Sequence, residues 1–313
     1  MRKKLKIETD NSITFKEGFE EYIDNCKARN LRDATIKHYK EGYRAITKFL
    51  DEDTKVKDIN KGTVDNFVRY VRDNLDVSSQ TLFTYSRDFK TILYYFMEKG
   101  YLNTFKIQLP KLDKKAIETY SDAELAILLK KPDMKKTSFA QYRSWVVINF
   151  LMSTAIRLNS LINIKIKDLD FENEVVYVNV TKNRKPLIVP LNRTIIKILK
   201  EYLKVRQYKN VDDFLFCNVF GNQLNKKTLN GALISYNRSR NVTTTGIHRY
   251  RHSAARKFVQ ANKNIAILQK LLGHSSLLIT QNYVNVLVSD LKREIDNYDI
   301  LEEFNKSYIK FKK

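Results

Sequence analysis

Apolar residues recur at helical spacing through the first hundred positions. Residues 14–28 place Phe15, Phe19 and Tyr22 three and four apart, and 34–50 line up Tyr39, Tyr43, Ile46 and Phe49 along one side. A third helix fits 61–75 on Val64, Phe67, Val68 and Val71. A fourth fits 78–98 on Leu82, Tyr85, Phe89, Ile92 and Tyr95, with Ser78 or Ser79 as N-cap and Gly100 as its stop. Four helices with short connections predict a small bundle. Residues 109–117 (LPKLDKKAI) read as a linker, because Pro110 disfavours helix and the lysines favour solvent.

The pattern then changes. Ser121 and Glu124 form a capping box that opens another helix. Residues 140–155 are almost continuously apolar from Trp145 to Met152, which predicts a central, buried helix. In 174–191, Val176, Val178 and Val180 alternate with Tyr177 and Asn179, and TKNRKP supplies a turn, so a hairpin is expected. An amphipathic helix over 192–206, a short strand over 214–218 (FLFCN) and a helix over 226–240 follow. The last stretch, 287–313, begins as a helix on Leu287, Leu291 and Ile295. The whole is mainly α with a small β-sheet: a helical bundle, then an α+β domain. The expected division is a tail 1–13, a bundle 14–108, a linker 109–117, a second domain 118–286 and a C-terminal helix or tail 287–313.

Charge adds a partner. The 313 residues carry 57 Lys+Arg against 35 Asp+Glu, a net charge of +22, with more of the excess after residue 115. A densely negative partner is implied, and double-stranded DNA fits best. In the bundle, Lys37, Lys40, Arg44, Arg87 and Lys90 stand among tyrosines; they read as solvated cations beside an aromatic core and as the candidate DNA contacts there. No apolar run approaches the roughly 18 residues of a spanning helix, so no membrane partner is expected. The N-terminus lacks the apolar core of a signal peptide. Cys26 and Cys217 are sparse and read as reduced thiols. A cytoplasmic, nucleoid-associated protein is the expectation.

The chemistry concentrates in 246–283. Three of the four histidines fall there, His248, His252 and His274, and His248, Arg251 and His252 stand at i, i+3 and i+4, one face of a helix. Gly273 and His274 end the apolar run 265–272 where a helix C-cap would sit, and Tyr283 follows nine residues after His274. Arginine forks onto phosphate oxygens, histidine moves protons near neutrality, and a tyrosine oxygen can be a nucleophile. Zinc on His248, His252 and His274 is the competing reading. HRYRH lacks the glutamate of the metalloprotease motif, and its arginines would repel a cation.

These pieces resemble the tyrosine recombinase (phage integrase) family: an H-x-x-R-H box in HRYRH, an L-G-H turn in LLGHS and the nucleophile position in TQNYV. The segment TAIRLNSLINIKIKDLDF is similar to the one that carries the family's first arginine, here Arg157, and aligning on IVPL puts the family's catalytic lysine at Lys182, with Lys185 second. Without the family, Arg157 is a cation against a helix C-terminal dipole and Lys182 a solvated turn lysine. The resemblance implies Arg157, Lys182, His248, Arg251 and His274 around a nucleophilic Tyr283, DNA contacts that include Lys185 and Arg249, and cleavage through a 3′-phosphotyrosine with no metal or other cofactor. It implies an N-terminal core-binding domain, a C-terminal catalytic domain, a homo-tetramer on two DNA sites, and room for an accessory DNA-bending or directionality factor. The final segment would dock on its own domain or on a neighbouring protomer. The short N-terminus points to a simple integrase or resolvase-like enzyme. One position departs: the family's acidic residue three after the first arginine is Ser160 here. Two other readings stand beside the recombinase: a non-cutting DNA-binding transcriptional regulator of a phage or mobile element, and a topoisomerase-like relaxer.

Overall fold

The computed structural model describes residues 13–112, 117–261, 264–273 and 280. The chain divides into two compact units, Met1–Lys115 and Ala116–Lys313.

The first unit is a helical bundle. Helix α1 (Phe15–Ala28) is opened by a capping box, Thr14 with Glu17, and α3 (Lys61–Asn74) by Asn60 with Thr63; α2 is Asp33–Ile46 and α4 is Ser79–Glu98, capped by Ser78. Their periodic apolar faces meet in one aromatic-rich core. Phe15 stacks on Tyr43 and meets Phe89 and Phe96 edge-on, and Phe67 meets Phe89. Helix α2 ends four residues earlier than the periodicity predicts. Phe49 and Leu50 still pack into the core, but from a turn whose amides return to the Ile46 carbonyl at 2.9 Å.

The second unit is mixed. Helices α5 (Asp122–Leu129), α6 (Phe139–Thr154) and α7 (Leu158–Leu161) precede a three-stranded antiparallel sheet, and α8 (Arg193–Arg206), α9 (Lys226–Arg238), α10 (Ile247–Gln260) and α11 (Ile265–Leu272) follow it. The strands are β1 (Leu169–Asp170), β2 (Val175–Val178) and β3 (Leu187–Pro190), in the order β1-β2-β3 with Val176 opposite Val189. The apolar run of α6 is the hub: α5, α8, α9 and α10 all pack on it, and Val146, Val147, Ile148 and Phe150 are fully buried.

The strand expected over 214–218 does not form; Phe214 and Cys217 make only isolated bridges. Side chains take the carbonyls that a ladder would use. Arg206 Nε donates to the Phe214 carbonyl at 3.0 Å and Arg143 Nη1 to that of Cys217 at 2.6 Å. The third strand comes instead from the two-residue β1. No helix among the described residues is long and apolar enough to cross a membrane.

Candidate active site and nucleic-acid interface

The site forms where three helix ends meet. Ala155 caps α6 in the left-handed region (φ 50°), which turns the chain sharply and sets Arg157 at the N-cap of α7. Gly273 caps α11 with φ 57°, the conformation glycine adopts without strain. Arg157 Nη1 donates to the carbonyls of Leu272 at 3.2 Å and Gly273 at 3.4 Å. Arg251, 6% exposed on α10, donates Nη2 to Leu272 O at 2.8 Å and Nη1 to Ala155 O. Two guanidiniums thus converge on the C-terminal end of α11, where carbonyl dipoles favour cations. Both line a cavity of about 600 Å³ together with Ser160, Thr181, Lys185 and Gly273.

The β2–β3 turn closes one side of this cavity. Thr181 Oγ1 donates to Lys185 O at 2.7 Å, and Arg184 takes a positive φ of 58°. The result brings Lys185 to the cavity and leaves Lys182 exposed, outside the lining. Ser160 is buried, and its hydroxyl donates to Val180 O at 2.7 Å, which ties α7 to the base of the same turn. An ionised carboxylate has no proton to donate there, so serine does at this position what an aspartate cannot. Ser160→Asp should therefore lower the melting temperature, with a cost of roughly 1–3 kcal/mol for two facing acceptors; differential scanning fluorimetry reads it.

Helix α10 carries the HRYRH box on one buried and one open side. Between the two arginines, Tyr250 is fully buried and donates its hydroxyl to Asn237 Oδ1 at 2.5 Å. Asn237 Nδ2 donates to Tyr120 Oη at 3.0 Å and to Thr244 O at 3.1 Å, and the Tyr120 amide donates to Ser253 Oγ at 2.8 Å. This network fixes the rotation of α10, and so the direction of Arg251. Sequence reasoning missed it, although a tyrosine set between two arginines on the inward side of a helix was the available signal.

Partial desolvation, then the Arg251 charge, holds the His248 imidazole below its ordinary value. Burial, then His248 and Arg251, does the same to His252. Both rings are therefore neutral near pH 7, the form that accepts a proton. The sign for stability follows. The unfolded chain binds these protons first as pH falls through about 6.5, so the folded state loses stability from that point down to the depressed folded values. Melting temperature should fall on acidification across that window, and less so in His252→Gln.

Candidates elsewhere separate into groups. Arg249 pairs with Glu118. Lys40 and Arg44 on α2 border a hollow that also holds Glu20, Asp24 and Glu52. Lys90 is half-buried, with its amine on Ile107 O at 2.9 Å and 5.1 Å over the Tyr94 ring. Lys37 and Arg87 are exposed on α2 and α4. On α4, Gln80, Thr84, Arg87, Thr91 and Tyr94 form an outer strip at helical spacing without a carboxylate. His274, Tyr283 and the 287–313 segment lie outside the described residues.

Comparison with known proteins agrees across the chain. The phage integrase family model matches residues 122–289, and the phage integrase SAM-like domain model matches 14–115. Tyrosine recombinase XerD of Staphylococcus saprophyticus is 26% identical over 293 residues, spanning 89% of this chain and 97% of the relative. Tyrosine recombinase XerA of Pyrococcus horikoshii is 27% identical over 200 residues, 63% of this chain and 67% of its own. Among solved structures, the Tn1549 transposon integrase in complex with a circular intermediate DNA superposes with a TM-score of 0.74 at 20% identity, over 91% of this chain and all of that one. A lambda integrase dimer bound to a COC′ core site gives 0.70 at 15% identity, over 98% and 82%. At these identities the structural likeness speaks for the fold, and the family models carry the assignment: the chain belongs to the phage integrase family, the tyrosine recombinases.

Proposed function

We propose that this chain is a site-specific DNA recombinase that cleaves and rejoins double-stranded DNA through a 3′-phosphotyrosine at Tyr283. One observation carries the reading. Arg157 and Arg251, from different helices, point their guanidiniums at the same helix end beside one cavity, a short distance in sequence before His274 and Tyr283. Forked donors at that place match the non-bridging oxygens of a phosphodiester, whose charge grows as the bond breaks.

In the reaction, Tyr283 Oη attacks the phosphorus and the 5′ oxygen leaves. His248, neutral near pH 7, takes part in moving the tyrosine proton, and His274 hydrogen-bonds a phosphate oxygen. The 5′ oxygen receives its proton from a lysine of the β2–β3 turn: Lys182 by sequence alignment, Lys185 by its place at the cavity. The phosphotyrosine bond keeps the phosphodiester energy, and a 5′-hydroxyl of a partner strand reverses the step. Lys37, Lys40, Arg44, Arg87, Lys90, Lys185 and Arg249 supply backbone contacts, the bundle 14–108 acts as core-binding domain and 118–286 as catalytic domain. Four protomers on two sites would complete the exchange; a lambda integrase tetramer bound to a Holliday junction, of the same fold, supports that number.

The test uses the full chain and a duplex nicked near the crossover, so that cleavage releases a short strand and traps the adduct. A slow band on a denaturing gel, whose tryptic peptide carries the nucleotide on Tyr283, is the expected result. Tight binding to a verified cognate site without any adduct would replace the recombinase with the non-cutting regulator.

A further inference from the structure

The bundle holds one buried carboxylate that packing alone does not account for. Asp88, on α4, is 1% exposed, and burial pushes its pKa up. A carboxylate placed in a core is heavily penalised by lost solvation unless cations meet it. Here two do. His38 Nε2, from α2, lies 3.1 Å from Oδ1 and 3.0 Å from Oδ2, and Arg87 Nη2 lies 3.8 Å from Oδ1. The approach of the helices is set by Gly42: a Cβ there would stand 2.8 Å from Asp88 Oδ2 and 3.1 Å from its Cβ. Glycine therefore lets the α2 backbone close over the carboxylate and fixes Asp88 beneath His38.

The outer side of this pair is open. The His38 side chain is 38% exposed and that of Arg87 52%, while Asp88 beneath them is 2%. Lys37 adjoins His38 on α2, and the carboxylate-free strip of α4 runs through Arg87. Asp88 from α4 meets the imidazole directly, Arg87 approaches the same carboxylate, and the Tyr39 ring lies 5.9 Å from the imidazole on the same helix. With Nε2 held by the carboxylate, the ring has one polar atom left, Nδ1. When the ring is protonated that atom is a donor, and a phosphate is the anion that a charged donor near Arg87 would take.

We propose that His38, oriented and backed by Asp88, is a DNA-phosphate contact of the N-terminal unit, paired with Arg87. This rests on the reading of the chain as a DNA-binding recombinase. A phosphate on the exposed side would be a second anion for the ring, and only the imidazolium form donates from both nitrogens at once. Asp88 is a positioning residue: it touches the imidazole, not the DNA.

The test measures affinity of the full chain for a generic duplex at fixed 0.15 M salt, at pH 6 and pH 8, by fluorescence anisotropy. Wild type, His38→Gln and His38→Lys are compared. Gln keeps a donor for Asp88, and Lys keeps a charge. At pH 6, His38→Gln should bind about tenfold more weakly than wild type, the loss of one charged hydrogen bond, and the gap should close at pH 8. His38→Lys should bind like wild type at pH 6 and better than it at pH 8. A gap of the same size at both pH values would make His38 a structural residue only, and no gap at either would remove it from the interface; both overturn the proposal. If wild type itself shows no DNA binding at either pH, the parent reading fails instead. Should His38→Gln not fold, His38→Lys still decides: a pH profile as steep as that of wild type overturns the inference.

Discussion

Arg251→Ala is expected to lower the rate of adduct formation by at least about 10²–10³-fold, the loss typical of a donor aimed at developing charge. The same substitution removes the joint between α6 and α11, since one guanidinium serves Ala155 O and Leu272 O. Two charge-assisted hydrogen bonds are lost from a buried place, roughly 3 kcal/mol or more. In a unit of this size that lowers the melting temperature by about 6–12 °C. Arg251→Lys keeps the charge but not the fork, and should recover more stability than rate. A third readout separates catalysis from folding. The Arg251 charge helps hold His248 and His252 below their ordinary values. Removing it lets both rise, so the acid limb of the pH–rate profile should move to higher pH. An unchanged rate with reduced stability would leave Arg251 as a structural tie alone.

The second large effect belongs to Asn237. It is 1% exposed and serves Tyr250, Tyr120 and Thr244 at once. Asn237→Leu preserves bulk but leaves two buried tyrosine hydroxyls and a carbonyl without this partner. The expected cost is about 3 kcal/mol, because a network loses more when one shared member goes than a single pair would. Calorimetry of the full chain should place that loss in the transition of the second unit. Tyr250→Phe removes the bond to Asn237 and the hydroxyl's interaction with Tyr120 but leaves the rest of the network, and should cost less, roughly 1–2 kcal/mol. Equal costs for the two would mean that the network does not act together.

Much of this was legible in the sequence because it rests on period and capping. The four bundle helices follow from aromatic spacing, α6 from its unbroken apolar run, and the end of α11 from Gly273. The convergence of Arg157 with the HRYRH helix was legible only through family resemblance, since nothing local to either arginine names the other. Three features could not be read. The backbone of 214–218 looks like a strand, but Arg206 at the end of α8 takes the Phe214 carbonyl and Arg143 on α6 takes that of Cys217. Which turn lysine meets the cavity depends on the conformation of 179–186, set by Thr181 and the positive φ of Arg184. His38 drew no attention because its partner lies fifty residues away.

The two larger hydrophobic cores differ in when they can be finished. The first draws on Phe15 through Ile107, a span wholly made before Tyr120, where the second begins. The second cannot close until Tyr250 exists, because Tyr120 packs against it with ring centroids 4.5 Å apart. At the usual pace of translation, that leaves on the order of ten seconds between completion of the two cores. The emerging chain therefore carries a finished bundle while the helix that bears Arg251 is still unmade. A chain terminated in that interval holds every residue of the first core and lacks the helix that completes the arginine-lined cavity.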